Sequence, residues 1–430
     1  MFPVEIWEKI LKNIDAGDLI RLKTVNSVWN AIISKYLQES DAWFKQCSKD
    51  VPQKYWLSLL ENSLYLTTLL HKHKNLNDKS EYLNYKVWMI IYRAWVKWSN
   101  IESCNANIID IFYPMPEHRP SEHITCCSTL GELVVIGSTE GYIRIFNLCS
   151  NKLVFRIDQY VKVLDVKLCL QGKNNDKIIL IATSVTNKST VWDITSQTNL
   201  MTMTGDVICA GYGYYCTTLC YDKILVHDAV NENSFPIRLF IKDYNMKPNK
   251  RYSNTRPIMK YVDMAINEQQ LCFLSDTGLY CELNLQDISQ SSKTLYTPNV
   301  TYIGIPKNHK IYRYYLFSQH VSFCITDRGY LGVSIHKKRW QMYNVYPFLE
   351  GKVTALTFHV RVLVFGLDSG DVCLFFAENI LSLQALDFKS QKFKRIHVAS
   401  EPIVCVNIME IKGDQRLLVA TKNTVYHIKF

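Results

Sequence analysis

The side chains that most often carry chemistry in proteins are scattered along this 430-residue chain, without the spacing of a catalytic or metal site. Its 14 cysteines form no CxxC pair, and its 11 histidines recur with no zinc-type spacing. No cysteine has a histidine close by in a nucleophile setting. The chain also lacks a P-loop, a GxGxxG that opens a helix, a GxSxG elbow and an HExxH helix. We therefore expect a protein that binds other molecules without catalysis, cofactor or metal.

Basic side chains could bind an acidic partner, and they gather in three places. The clearest is the stretch MKPNKRYSNTRP, whose proline, asparagine and serine content predicts a loop. Its Lys250, Arg251 and Arg256 are the binding candidates, and the alternative is a solvated loop without a partner. Smaller basic groups occur at His336–Arg339 and Lys389–Arg395.

The overall charge does not by itself indicate nucleic-acid binding. Lysine and arginine number 49 against 39 acidic residues, which gives a formal charge of +10, but no block of five like charges occurs. No leader with a cleavage site and no run of 18 apolar residues is present, which argues against secretion and membrane spanning. The scattered cysteines then indicate reduced thiols and a protein of the cytoplasm or the nucleus.

The strongest pattern that positions side chains lies in the first 30 residues. Ile6, Ile10 and Ile14 recur at helical spacing, with Trp7 and Leu11 beside them. Asp15 and Asp18 supply cap chemistry for a second short helix. Further apolar residues line a third helix: Val25, Val28, Trp29, Ile32 and Ile33. Three short helices cannot bury so many large side chains by themselves, so a partner must cover the rest.

This segment resembles an F-box, the domain that joins a substrate receptor to a Skp-type adaptor and, through it, to a cullin and a RING subunit. The matching positions are Pro3, Glu5, Ile6, Ile10, Leu11, Asp18, Leu19, Val25 and Trp29, with Phe2 in place of the usual leucine. The resemblance implies the following adaptor-binding residues: Phe2, Pro3, Ile6, Ile10, Leu11, Leu19, Val25 and Trp29. The alternatives are that some of them form intramolecular core, or that the segment is an ordinary helical subdomain.

The next region, 41–104, is again helical in pattern and rich in aromatic residues. Trp88, Tyr92 and Trp95 share one helix face at i, i+4 and i+7, which predicts packing between helices. The segments Asp41–Cys47 and Trp88–Tyr92, with the closing Trp98-Ser99-Asn100, resemble the linker helices of F-box/WD-repeat proteins. Such a linker would set a fixed distance and angle between the adaptor and the receptor. His71–Ser80 is predicted to be a loop within it.

From residue 105 onward the pattern changes to short strands separated by glycine, asparagine, aspartate and serine turns. A unit recurs about every forty residues: an apolar strand, a turn, a second apolar strand that ends in small or polar residues, an acidic-glycine turn, and a third strand with an aromatic residue. Seven copies are found: Leu133–Leu148, Ile178–Ile194, Tyr214–His227, Leu271–Leu283, Phe323–Ile335, Val362–Phe376 and Leu417–Ile428.

These units resemble WD repeats, and seven of them would close a β-propeller in which each blade completes its core against its neighbours. Only one Trp-Asp pair remains, at Trp192-Asp193, and no Gly-His dipeptide occurs, so six or eight blades stay open. Asn107–Tyr113 is predicted to supply the missing outer strand of the last blade. The expected fold class is thus multidomain: an α-helical F-box bundle (1–40), linker helices (41–104) and an all-β, WD-like propeller (105–430).

Members of the F-box/WD-repeat family bind phosphorylated peptides with arginines on one propeller face. The corresponding positions here hold Thr125, Thr354 and Val404, or Thr139, Asp327 and Asp368, so that arginine set is not reproduced. Aspartates would repel phosphate, which argues against this mode of binding. The candidates Lys250, Arg251 and Arg256 remain as substrate-binding residues.

The resemblance implies a non-catalytic substrate receptor of a Skp–cullin–F-box ubiquitin ligase, whose bound protein is ubiquitinated and degraded by the proteasome. Because the F-box begins at residue 2, without room for an upstream dimerising helix, a monomeric receptor is expected. The alternative is a protein-interaction scaffold that does not lead to degradation. A nucleic-acid reader is the least favoured hypothesis.

Overall fold

The structure, a computed structural model, places helices first and strands afterwards, in the predicted order. It describes residues 3–61, 85–115, 121–150, 152–171, 177–205, 207–211, 213–220, 223–228, 233–239, 260–267, 269–289, 295–318, 321–335, 339–377, 380–385, 393–411 and 413–430. No helix within these ranges is both long and apolar enough to cross a membrane.

Helices occupy the described part of the chain before residue 105, as the apolar periodicity predicted. They are α1 (Val4–Leu11), α2 (Ala16–Leu22), α3 (Ser27–Glu39), α4 (Ala42–Asp50), α5 (Trp56–Glu61) and α6 (Tyr85–Ser99). Helix α3 begins after Asn26, whose side-chain oxygen accepts a hydrogen bond from the Trp29 amide at 2.9 Å. The predicted loop at His71–Ser80 lies outside the described residues.

The aromatic residues of α4 to α6 pack against one another, which confirms their prediction as core between helices. The Trp88 ring contacts Phe44 and Trp56 edge to face, with centroids 4.9 and 4.8 Å apart. On the same face of α6, Tyr92 contacts Trp43, with ring centroids 5.7 Å apart. Further along, the Trp95 and Tyr55 centroids lie 5.5 Å apart.

Seven β-sheets follow, one for each predicted repeat, and they form the blades of a propeller. Blade 1 contains β2 (Ile124–Leu130), β3 (Leu133–Ser138), β4 (Tyr142–Asn147) and β5 (Lys152–Asp158). Blade 2 contains β6 (Val163–Gln171), β7 (Lys177–Ser184), β8 (Lys188–Asp193) and β9 (Thr198–Thr204). Blade 3 contains β10 (Ile208–Gly211), β11 (Tyr214–Cys220), β12 (Lys223–Asp228) and β13 (Asn233–Leu239), with β17 (Leu295–Tyr296) added in parallel to β13.

Blade 4 contains β14 (Tyr261–Asn267), β15 (Gln270–Ser275), β16 (Leu279–Asn284) and β18 (Asn299–Tyr302), with the short helix α7 (Leu285–Ser289) after β16. Blade 5 contains β19 (Ile311–Ser318), β20 (Val321–Thr326), β21 (Tyr330–Ile335) and β22 (Gln341–Asn344), followed by α8 (Tyr346–Leu349). Blade 6 contains β23 (Val353–His359), β24 (Val362–Leu367), β25 (Asp371–Phe376) and β26 (Phe393–His397). Blade 7 contains β27 (Cys405–Ile411), β28 (Asp414–Ala420), β29 (Val425–Lys429) and β1 (Asn107–Phe112).

Each predicted repeat copy corresponds to the second and third strands of one blade. In blades 1, 2, 4, 5 and 6 the turn between these two strands contains a residue with a left-handed backbone, which explains why glycine persists there although other repeat residues do not. Gly141, Gly278 and Gly370 adopt φ of +90°, +84° and +82° at this place. In blade 2 the same position is held by Asn187 at φ +56°.

The ring closes through β1, as predicted. This strand pairs antiparallel with β29, with Phe112 opposite Val425 in register. Phe112 also contacts Phe146 of blade 1, with ring centroids 5.6 Å apart, so the strand holds both sides of the junction between blades 7 and 1. The first strands of neighbouring blades contact each other around the whole ring and line its centre.

Candidate functional site

The first candidate site is the surface of α1 to α3, whose interior is filled by a small apolar core. Leu11, Leu19, Ile33 and Leu37 are buried there. The Trp7 and Trp29 rings meet edge to face, with centroids 4.9 Å apart, and tie α1 to α3. These contacts use only one side of each helix.

Helix α1 and the start of α3 also carry large apolar side chains that stay exposed in the described part of the chain. Ile6 and Ile10 of α1 are 39% and 40% exposed, and Val25 and Val28 beside the start of α3 are 61% and 46% exposed. Because the contact between Trp7 and Trp29 holds α1 against α3, these exposed side chains form a candidate interaction site. We call these four residues the apolar docking face.

The predicted adaptor-binding residues divide between this face and the core. Pro3, Ile6, Ile10 and Val25 are exposed, and Trp29 is half-buried. Leu11 and Leu19 lie in the core, and Phe2 lies outside the described residues. Val28 was not among the predicted contacts, although the sequence places it in the same apolar series as Val25.

Helix α2 is fixed to the linker by polar contacts. Gln46 of α4 accepts a hydrogen bond from the Ala16 amide at 3.1 Å and so caps α2. The sequence predicted that Asp15 and Asp18 cap α2, but the Asp15 side chain makes no cap hydrogen bond and instead pairs with Lys49 of α4 at 3.1 Å. Both contacts join α2 to α4.

The linker is joined in turn to the propeller. Within the linker, the Cys47 thiol of α4 donates to the Trp88 carbonyl oxygen at 3.0 Å, and burial raises the pKa of Cys47 to about 12. At the end of α6, the buried Trp98 ring meets His359 of blade 6 edge to face, with centroids 5.0 Å apart. Burial lowers the pKa of His359 to about 3. Lys97 donates to the Gly413 carbonyl oxygen of blade 7.

The second candidate site is the end of the propeller at which every first strand begins. The residue just before the first strand is an exposed lysine in four blades: Lys162, Lys260, Lys310 and Lys352. We call these residues the lysine rim. Sequence reasoning missed them, although a lysine recurring at one position of the repeat was a readable signal.

The residues at the positions of the phosphate-binding arginines of F-box/WD-repeat proteins form hydrogen bonds within a blade or between blades. The Asp327 and Asp368 carboxylates accept hydrogen bonds from the backbone amides of Lys310 and Lys352, both at 2.9 Å. The Thr354 hydroxyl donates to the Ile403 carbonyl oxygen at 2.6 Å and joins blade 6 to blade 7. The predicted substrate-binding residues Lys250, Arg251 and Arg256 lie outside the described residues.

The described residues contain no group of three or more histidine, cysteine, aspartate or glutamate side chains that could hold a metal ion. The two candidate sites are surfaces for contact with a partner: one presents exposed aliphatic side chains and the other presents lysines.

Comparison with known protein families matches residues 1–37 to the F-box domain. Comparison of the chain with curated proteins gives no match. The matched segment covers α1, α2 and most of α3, which carry the docking face. The chain therefore consists of an F-box domain joined through helices to a seven-bladed β-propeller.

Proposed function

We propose that this protein is the substrate-receptor subunit of a Skp–cullin–F-box RING-type ubiquitin ligase. Its F-box docks on the Skp-type adaptor, and its propeller binds a protein that is ubiquitinated and then degraded by the proteasome. The observation that carries the proposal is the apolar docking face of the F-box domain, held on helices that are anchored to a propeller. The receptor itself is non-catalytic in this proposal.

The adaptor contact is assigned to the exposed residues of the F-box. Pro3, Ile6, Ile10, Val25 and Val28 would bury their side chains against apolar groups of the adaptor. Trp29, which is half-buried, would contribute its free edge, and Phe2 remains a proposed contact from the sequence. Leu11 and Leu19 would act indirectly, because they hold the helices that present the face.

Ubiquitin transfer in such a ligase depends on distance, since the bound substrate must present a lysine to the ubiquitin carrier. In this proposal residues 1–40 dock on the adaptor, residues 41–104 set the distance between adaptor and substrate, and residues 105–430 bind the substrate. The contacts of Gln46, Cys47 and Trp98 form one continuous path from the F-box to blade 6. A rigid path of this kind keeps the substrate at a fixed position and raises its effective concentration.

For substrate recognition, the lysine rim is the proposed contact surface among the described residues. Four lysines at equivalent positions of blades 2, 4, 5 and 6 would favour an acidic protein segment. Lys250, Arg251 and Arg256 remain proposed contacts with the same preference. The substrate itself stays open.

Adaptor docking is tested by measuring the affinity of the purified chain for a purified Skp-type adaptor. Exposed Ile10 and Val25 are each replaced by aspartate, and the control is Val154→Asp on the outer strand of blade 1, where the valine is exposed too. Burying an aliphatic side chain contributes about 1.5–3 kcal/mol, so each docking variant should weaken the complex about tenfold or more. Equal affinity of the docking and control variants would reject this docking surface.

Substrate binding by the rim is tested by proximity labelling in cells. Lys310→Glu with Lys352→Glu reverses two rim charges, and the control pair is Lys152→Glu with Lys177→Glu at the opposite ends of blades 1 and 2. The rim variant should lose labelled partners that the control retains, while the affinity for the adaptor stays unchanged. An identical set of partners would remove the rim from the proposal.

A further inference from the structure

The junction between blades 7 and 1 holds two cysteines from distant parts of the sequence. Cys405 begins β27, the first strand of blade 7, and Cys127 lies on β2, the first strand of blade 1. The Cys405 sulfur lies 3.0 Å from the Cys127 carbonyl oxygen, to which its thiol donates. This hydrogen bond places the two cysteines side by side where the first strands of blades 7 and 1 meet.

Asn407, two residues after Cys405 on the same strand, contacts both sulfurs. Its side-chain nitrogen lies 3.1 Å from the Cys405 sulfur and 3.4 Å from the Cys127 sulfur. One amide group therefore donates to both members of the pair. An amide donor stabilises a thiolate, because the charged sulfur is the better acceptor.

The two thiols differ in their surroundings. Cys405 is half-buried, and the hydrogen bond from the Cys127 thiol lowers the pKa of Cys405, with further help from Arg313 and Asn407. Cys127 is buried, and that burial raises its pKa well above the usual value. A partly accessible thiol with a lowered pKa next to a buried second thiol is typical of cysteines that react with peroxide.

We propose that Cys405 and Cys127 form a peroxide-sensitive thiol pair whose oxidation links blade 7 covalently to blade 1. The Cys405 thiolate attacks one oxygen of hydrogen peroxide, which gives a sulfenic acid on Cys405 and releases hydroxide. The Cys127 thiol then attacks that sulfur, and the sulfenic oxygen leaves as water. Two thiols and one peroxide thus give one disulfide and two waters, and a dithiol reductant reverses the change.

The bond would close the ring at the junction where its first and last blades meet. β1 already spans this junction by pairing with β29, at the outer edge of blade 7. A disulfide between β27 and β2 would add a second closure at the centre of the ring. Because the two cysteines are far apart in sequence, oxidation should raise the melting temperature.

The test uses the full reduced chain, treated with hydrogen peroxide and analysed by peptide mass spectrometry after blocking free thiols. The chain supplies two internal controls. The first is Cys149, whose thiol is exposed. The second is the buried pair of Cys209 and Cys216, which lie opposite each other where β10 pairs with β11. We expect the Cys127–Cys405 peptide to form about tenfold faster than oxidised Cys149, with no Cys209–Cys216 peptide.

Two variants separate the steps. Cys127→Ser should stop the reaction at a sulfenic acid on Cys405, which dimedone traps, and Asn407→Leu should slow the oxidation of Cys405. A reduced Cys405 after Cys149 has been oxidised would overturn the proposal. So would a stable sulfenic acid on Cys405 in the unsubstituted chain, or equally fast formation of the Cys209–Cys216 disulfide.

Discussion

Replacing Trp98 by alanine should make the helical part of the chain unfold separately from the propeller. Trp98 is 1% exposed at the end of α6, and its ring lies 5.0 Å from the His359 ring of blade 6. Truncating a buried tryptophan costs about 3–5 kcal/mol, because the removed ring leaves a cavity that neighbours fill only in part. The free energy of unfolding of a whole domain is only about 5–15 kcal/mol, so this loss is large.

The assay is urea unfolding followed by circular dichroism, with Val96→Ala on the exposed side of α6 as the control. The control should change the free energy of unfolding by about 0.5 kcal/mol or less, as surface substitutions do. For Trp98→Ala we expect the helical signal to be lost at a lower urea concentration than the sheet signal. A single transition with the midpoint of the control would refute the anchoring of α6 on the propeller.

Two further predictions concern buried ionisable groups. Because burial lowers the pKa of His359 from 6.5 to about 3, its contribution to stability is complete above pH 6.5 and is lost as the pH falls towards 3. Between pH 7 and pH 5 the chain should lose about 2 kcal/mol relative to His359→Gln, measured by urea unfolding at each pH, and equal losses would contradict this. Glu122 forms a buried two-point pair with Arg144 at 2.6 and 2.9 Å, so Glu122→Gln should destabilise the chain by about 3–5 kcal/mol. Asp18→Asn, which removes an exposed pair, should cost less than about 1 kcal/mol in the same urea-unfolding assay, and similar costs for the two variants would be the contrary result.

The strands that could be predicted from the sequence are those buried on both faces. The second and third strands of each blade, such as Val362–Leu367, are continuous apolar runs around a glycine turn, and this pattern survives the loss of the Trp-Asp pairs. Outer strands such as β9 expose most of their side chains and carry no comparable signal. The added strand Leu295–Tyr296 has only two residues and could not be predicted.

The candidate sites were less predictable, because they depend on tertiary contacts. Helical spacing placed Ile10 and Leu11 together in the apolar ladder, but only the packing of α1 against its neighbours makes the first exposed and the second buried. Gln46 caps a helix that begins thirty residues earlier, which no local rule foresees. The pairing of Cys127 with Cys405 likewise requires the ring to close.

The central claim is that a protein bound by the propeller is ubiquitinated because the F-box docks on an adaptor. The most direct measurement is the ubiquitin carried by propeller-bound proteins in cells treated with a proteasome inhibitor. It compares the unsubstituted chain with the Ile10→Asp, Val25→Asp double variant. We predict at least one protein that is bound equally by both chains and carries ubiquitin only with the unsubstituted chain. Equal ubiquitin on every shared partner would contradict the account and favour a non-degradative scaffold.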